Sequence, residues 1–274
     1  MMPASPYELN IQEKELHFHN AWASATDLAT VDVRAAFEGP TALENQFILR
    51  LLGPLAGKKV LDVGAGLGES SVYFALQGAQ VTATDLSPAM IEAAARLAAR
   101  YQVTLETVVC AGESLQVASN EFDIVYIANT IHQATNKPAL FQQVRRALKP
   151  GGIFVSYDPL GYNPVIDVYR RMAAKVRTED EAPLTFADAR LAARYFEDVG
   201  HQEFWIASLA LFLKYYLIDR IHPNQDRYWK RILRESPESL RWWLPLRELD
   251  GYLTRLPVVR RLAWNMVMWG RKPR

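Results

Sequence analysis

The sequence predicts an α/β protein built on a doubly wound, mostly parallel sheet of seven strands, and three observations carry that expectation. From residue 58 onward, short β-rich apolar runs alternate with helical stretches, the pattern of parallel strands joined by helices. A glycine-rich segment, Asp62-Val63-Gly64-Ala65-Gly66-Leu67-Gly68, stands at one strand-to-helix junction. Asp85 closes the next strand run, 21 residues after Gly64.

The elements follow in order. Residues 1–57 read as a mainly helical cap, and KKVLDVG after it reads as a buried strand. GLGESSVYFALQG is a helix with Val72, Ala75 and Leu76 on one face and Gly78 as its stop. AQVTATD is the second strand. Ser87 then caps a helix with Pro88 in its first position, rich in strong helix formers through Tyr101. VTLETVVC and FDIVYIAN are the next strands. A helix over 137–148 ends at Lys149-Pro150-Gly151-Gly152, and GIFVSYD is the fifth strand. Asn163-Pro164 opens another helix, and Thr185-Phe186-Ala187-Asp188 has the pattern of a capping box. HQEFWIASL reads as a sixth strand. The end, LAWNMVMWGRKP, fits either a strand or an amphipathic helix; the strand is preferred because it completes the sheet. The expected organisation is therefore a cap over 1–57, a core over 58–208, a helical insertion or lid over 209–262, and a last strand within 263–274.

Composition narrows the function classes. Half of the 274 residues are apolar, which is enough for a large core. A formal net charge of +1 gives no field that favours nucleic acid. The one cysteine, Cys110, excludes a disulfide framework and a cysteine-rich zinc site, and the five histidines show no metal-ligand spacing. The first residues carry acidic groups and no apolar stretch, and the longest apolar run, Phe204 to Leu213, is too short to span a bilayer, so a cytoplasmic protein is expected. Charge is uneven, however. Residues 219–274 hold 13 Lys/Arg against 6 Asp/Glu, and five of the 7 tryptophans: Trp229, Trp242, Trp243, Trp264 and Trp269. A basic, aromatic tail of this kind suits contact with an anionic membrane surface, although packing within the protein accounts for such residues equally well.

Glycines at a strand-to-helix turn let a ligand approach the backbone, and the following helix presents free N–H groups toward it. Asp85 is placed to accept the hydroxyls of a ribose, so an adenosine-containing cofactor is expected at the carboxyl end of the sheet. A dinucleotide turn would read G-x-G-x-x-G; here the third glycine, Gly68, comes one residue early.

From VLDVGAGLGESSVYFALQGAQVTATDLSPAMI through AGESL, EFDIVYIANTIHQ and RRALKPGGIFVSYDP, the chain resembles the class I S-adenosylmethionine-dependent methyltransferases of the small-molecule type. The likeness covers roughly 58–158 and implies a Rossmann-like core. It implies that Gly64, Ala65 and Gly66 line the methionine and ribose portions of S-adenosylmethionine. Asp85 would hold the ribose hydroxyls, Leu86 would pack on adenine, and Gly112 and Glu113 would border the adenine edge. Asn129 would contact the methionine part. Ala111 departs from the pattern, since many relatives carry Asp there; the adenine amino contact then passes to Glu113 or a backbone carbonyl.

Methyl transfer needs a base only when the acceptor arrives protonated. His132, in NTIHQ after the fourth strand, is the first candidate, with packing against the next helix as its structural alternative. Asp158 and Tyr157, at the end of the fifth strand, come next, and Asp158 before Pro159 could equally cap a turn. Arg170, Arg171, Lys175 and Arg177 are either a solvated helix face or a grip on an anionic acceptor. The expected activity is methylation, with O-methylation favoured, of a small and apolar or lipid-like acceptor. An NAD(P)-dependent oxidoreductase and a non-catalytic cofactor-binding protein of the same fold are the alternatives.

Overall fold

The computed structural model describes residues 6–173, 181–235 and 237–274. Seven strands form one sheet: β1 Lys59–Val63, β2 Gln80–Asp85, β3 Glu106–Val109, β4 Phe122–Ala128, β5 Leu148–Pro159, β6 Glu197–Phe204 and β7 Asn265–Arg271. Their order is β3-β2-β1-β4-β5-β7-β6, with β7 antiparallel to both of its neighbours. The chain runs outward from β1 through β2 to β3, then returns to β4 on the other side of β1. Crossovers diverge at that point and leave a crevice above the carboxyl ends of β1 and β4.

Local chemistry explains the helix ends. α1 spans Pro6–Ala25, α2 Ala35–Glu38, α3 Leu43–Leu52, α4 Glu69–Leu76 and α5 Pro88–Arg100. Ser87 caps α5 by accepting from the Met90 N–H at 3.1 Å, with Pro88 at the first position as expected. α6 runs Lys137–Ala147, α7 Pro164–Met172 and α8 Phe186–Ala192. Thr185 and Asp188 make the reciprocal capping box that their spacing predicts.

Two apolar layers cover the sheet. On one face, Leu140, Phe141 and Val144 of α6 meet Val125, Phe154 and Phe196. On the other, Val72 and Phe74 of α4 and Leu97 of α5 meet Val60, Val155 and Val267, joined by Phe37 of α2 and Ile48 and Leu52 of α3. Phe37 lies flat on Tyr73, with ring centroids 4.1 Å apart. The segment before the first strand is thus part of the core.

The sixth strand departs from the expectation over 201–209. It starts at Glu197 and ends at Phe204, where Trp205 takes φ +68° and turns the chain away. The run Trp205–Leu209 is apolar because it enters a separate aromatic cluster, not because it belongs to the sheet. That cluster packs Trp205 at a tilt against Trp243 and edge-on against Trp264, and gathers Phe212, Tyr215 and Tyr228. It belongs to the region between β6 and β7, which contains α9 Ala210–Leu213, α10 Tyr228–Arg231 and α11 Leu244–Leu253. Of the five tail tryptophans, Trp243 and Trp264 are buried, Trp229 and Trp269 are half-buried, and only Trp242 is exposed. The tryptophans therefore serve mainly internal packing. No helix among the described residues is long and apolar enough to cross a membrane.

Because Phe37 is buried and stacked, Phe37→Ala is expected to cost about 3–5 kcal/mol. Chemical denaturation should show this as a lower midpoint of a single transition, since the helical segment shares its core with the sheet.

Candidate active site

The glycine turn is held from below by its neighbours. Gly64 and Ala65 donate their N–H groups to the carbonyl of Thr84, at 2.8 and 2.9 Å. Gly64 has φ +71° and lies so close to Thr130 that an added Cβ would sit 2.1 Å from its Oγ1. Gly68 has φ +85°, and a Cβ there would stand 2.6 Å from that of Ala94, so α4 and α5 approach closely at this point. Gly66 differs: a Cβ added there meets nothing within 4 Å, which leaves room for a ligand over the turn.

Asp85 ties the turn to the next helix. Its Oδ2 accepts from Gly66 N–H at 2.9 Å and its Oδ1 from Ser87 N–H at 2.8 Å. Burial raises its pKa, and these backbone donors oppose the rise. Ser87 Oγ, besides capping α5, donates to Asn20 Oδ1 of α1 at 2.6 Å, which draws the N-terminal helix over the crevice.

The crevice is a cavity of about 320 Å³, within the range of small-molecule sites. Gly64, Ala65, Gly66, Asp85, Leu86, Gly112 and Glu113 line it, together with Asn129, His132 and Tyr157. Glu113 is already engaged, accepting from the N–H of Thr135 at 3.0 Å and so bracing the loop after β4. Asn129, in the left-handed region at φ +51°, donates its N–H to Tyr157 O at 2.8 Å. Its backbone N–H is therefore spent inside the protein.

His132 and Asp158 come together as a buried pair. Asp158 Oδ1 lies 2.8 Å from His132 Nδ1 and accepts from the His132 N–H at 3.1 Å. Burial raises the pKa of Asp158, and the histidine contacts counter it. An Nδ1–H donated to Asp158 leaves Nε2 as an acceptor. Nε2 lies 3.9 Å from Glu181 Oε2, and Arg170 pairs with the same carboxylate at 3.3 Å. Asp158 thus orients a histidine and does not cap the Pro159 turn. Arg171 is exposed, and Lys175 and Arg177 lie outside the described residues. Tyr157 is pushed well above the ordinary tyrosine range, chiefly by burial, and so keeps its phenolic proton at neutral pH.

Sequence reasoning missed three parts of the wall. Ile11, Glu15, Phe18 and Trp22 form a stripe on α1 at helical spacing, a legible signal whose direction the sequence does not give. Glu44, buried and with its pKa raised by that burial, accepts from Asn265 Nδ2 at 2.6 Å in the cavity wall. Arg227, Trp229 and Lys230 of the insertion form a roof with Trp22, the Arg227 guanidinium lying 4.1 Å from the Trp22 ring. No local pattern announces a contact between residues two hundred positions apart.

Residues 61–156 match the family model described as a methyltransferase domain. Phosphoethanolamine N-methyltransferase 1 of Triticum aestivum is 39% identical over 98 residues, which cover 35% of this chain and 20% of the wheat protein. An uncharacterized methyltransferase of Synechocystis is 37% identical over 142 residues, covering 50% of this chain and 61% of that one. The chain thus spans a fifth to about three fifths of the length of these relatives. Among solved structures, geranyl diphosphate C-methyltransferase of Streptomyces coelicolor, in complex with Mg2+, geranyl diphosphate and S-adenosyl-L-homocysteine, aligns with a TM-score of 0.60 at 16% identity, over 99% of this chain and 100% of that one. The cyclase SpnF aligns equally well, with a TM-score of 0.60 at 18% identity, over 99% and 98%. At such identities the likeness shows the fold, and two different named activities on it show that the fold alone does not fix the reaction.

One buried carboxylate within residues 61–156 makes the fold pH-dependent. Asp62, on β1, is pushed up to about 6 by burial, only partly offset by the Ser71 hydroxyl donating at 2.6 Å. A carboxyl with a raised folded-state pKa binds its proton more tightly folded than unfolded, so stability falls as pH rises from about 4 to about 6. Asp62→Asn should flatten that decline by up to about 3 kcal/mol, read from urea unfolding across this pH window.

Proposed function

We propose that the chain is an S-adenosylmethionine-dependent methyltransferase acting on a small-molecule acceptor, with O-methylation of an apolar or lipid-like hydroxyl compound as the favoured chemistry. The observation that carries the reading is the oriented His132–Asp158 pair in the same cavity as the Gly64–Gly66 turn and Asp85. When bound, S-adenosylmethionine supplies a methyl group on a sulfonium centre. Gly64, Ala65, Gly66 and Asp85 would hold it, and Gly66 leaves the space that its backbone-hugging portion needs.

The remaining work falls to the protein. His132 Nε2 takes the proton of the acceptor hydroxyl as the oxygen becomes a nucleophile. The imidazolium that forms stands between two carboxylates, Asp158 on Nδ1 and Glu181 near Nε2. Trp22, Tyr169 and Trp229 give the cavity apolar surface that excludes water and fits an apolar acceptor. A nucleic acid acceptor is disfavoured by the +1 net charge. Glu15, Glu44 and Glu181 in the same wall favour, as a second reading, an amine acceptor held as a cation before it loses its proton.

S-adenosylhomocysteine should raise the melting temperature and NAD(P) should leave it unchanged; the reverse would return the oxidoreductase reading. With S-adenosylmethionine and a panel of phenols, quinols and amines, mass spectrometry of the products identifies the methylated atom. His132→Asn should then lower kcat by about 10²–10⁴-fold while the shift with S-adenosylhomocysteine persists. Cofactor binding with no turnover on any acceptor would leave the non-catalytic alternative.

A further inference from the structure

α11 is built inside out. Its one fully buried side chain is a carboxylate, Asp250, while Leu244, Leu249 and Tyr252 are exposed, Tyr252 at 67%. Asp250 accepts from the N–H groups of Ile206 at 3.1 Å and Ala207 at 2.6 Å and from the hydroxyl of Ser208. Those N–H groups open the helical run that continues into α9, where an acidic group is electrostatically favoured. Trp243, just before α11, donates its indole N–H to Ser208 O at 2.9 Å. Polar bonds therefore decide which way α11 faces, and they turn Leu244, Leu249 and Tyr252 outward.

The chain after the helix keeps the same character, with Leu256 exposed at 51% and Val258 at 78%. Among the described residues, 14 large apolar side chains are exposed, and 13 of them lie between Val165 and Leu262, the exception being Val109. Seven of the 14 belong to the 21 residues from Trp242 to Leu262, so this short segment is enriched in outward apolar side chains. An ordinary surface helix shows the opposite distribution.

Charge indicates what covers it. Residues 241–262 hold five arginines against two acidic residues, and one of the two is the buried Asp250. Arg241, Arg247, Arg255 and Arg261 have no carboxylate partner among the described residues. Nearby Arg231 and Arg234, by contrast, are both paired with Asp226. Unneutralised guanidinium groups beside exposed leucines, a valine and the rings of Trp242 and Tyr252 match the boundary of an anionic bilayer, where tails take the apolar groups and headgroups take the cations. A second copy of the same face would set arginine against arginine. At ten residues α11 is about 15 Å long, a length that lies in an interface and does not cross it.

We propose that α11 and the turn through Leu262 form a peripheral docking surface for anionic lipid. The surface lies outside the cavity lining, so the proposal is independent of methyl transfer. The test is co-sedimentation of the full chain with vesicles of phosphatidylcholine, or of phosphatidylcholine mixed with phosphatidylglycerol, at low and high salt. Binding to the mixed vesicles at low salt, weakened by added salt, is expected. Tyr252→Asp combined with Leu256→Asp should abolish it. Arg241→Gln combined with Arg247→Gln should lower it on the order of tenfold or more. An unchanged melting temperature shows that each variant is folded, whether or not S-adenosylhomocysteine binds. The proposal is overturned if the wild-type chain ignores anionic vesicles at low salt, or if both folded double variants bind like wild type. It is equally overturned if sedimentation equilibrium shows a dimer that Tyr252→Asp with Leu256→Asp dissolves while neither protein binds vesicles.

Discussion

The carboxylate of Asp85 is the constraint on which the rest of the site depends. It accepts one N–H from the glycine turn, at Gly66, and another from the start of α5, at Ser87. Ser87 then reaches Asn20, so one line of hydrogen bonds fixes the turn, the second crossover helix and the N-terminal helix relative to one another. The arrangement costs desolvation, visible in the raised pKa of Asp85, and the backbone donors only partly offset it. A buried carboxylate so placed is poorly explained by stability alone. It is well explained by a ligand that brings hydroxyl donors to the same oxygens.

Above that line the cavity is closed by parts of the chain distant in sequence. α1 contributes Trp22, the insertion contributes Arg227, Trp229 and Lys230, and Lys230 pairs with Glu69 at the start of α4. The roof is therefore bonded directly to the helix that follows the glycine turn. Glu44 and Asn265, joined by a hydrogen bond, also line the cavity. The insertion works on two sides: its inner face completes the cavity, and its outer face carries the leucines and arginines that Asp250 turns outward.

Much of this was legible in residues that act locally. The caps at Ser87, Asn163 and Thr185, the stop at Gly78 and the apolar strand runs are short-range signals, and the structure places the elements accordingly. β6 was misplaced because its residues, Glu197–Phe204, are mostly polar on an edge strand, whereas the apolar run after it packs with tryptophans from elsewhere. The tail tryptophans were open to two readings for the same reason: composition reports that a residue is aromatic, not what its ring meets. His132 and Asp158 were each singled out, but as separate candidates. Their pairing depends on β4 and β5 lying side by side, with Ala128 opposite Tyr157, which brings the two loops within one hydrogen bond.

By itself the sequence, which left its end open between a strand and an amphipathic helix, determined the α/β class, the glycine turn with Asp85 and the methyltransferase resemblance. These rest on periodicity, backbone conformation and motif spacing, all of which act over a few residues to a few tens. Only the tertiary structure decided the partners of His132, the roof over the cavity, the burial of Glu44 and the outward face of α11. Each of these is a contact between segments far apart along the chain, and which side of a helix becomes the inside depends on what the rest of the fold places against it.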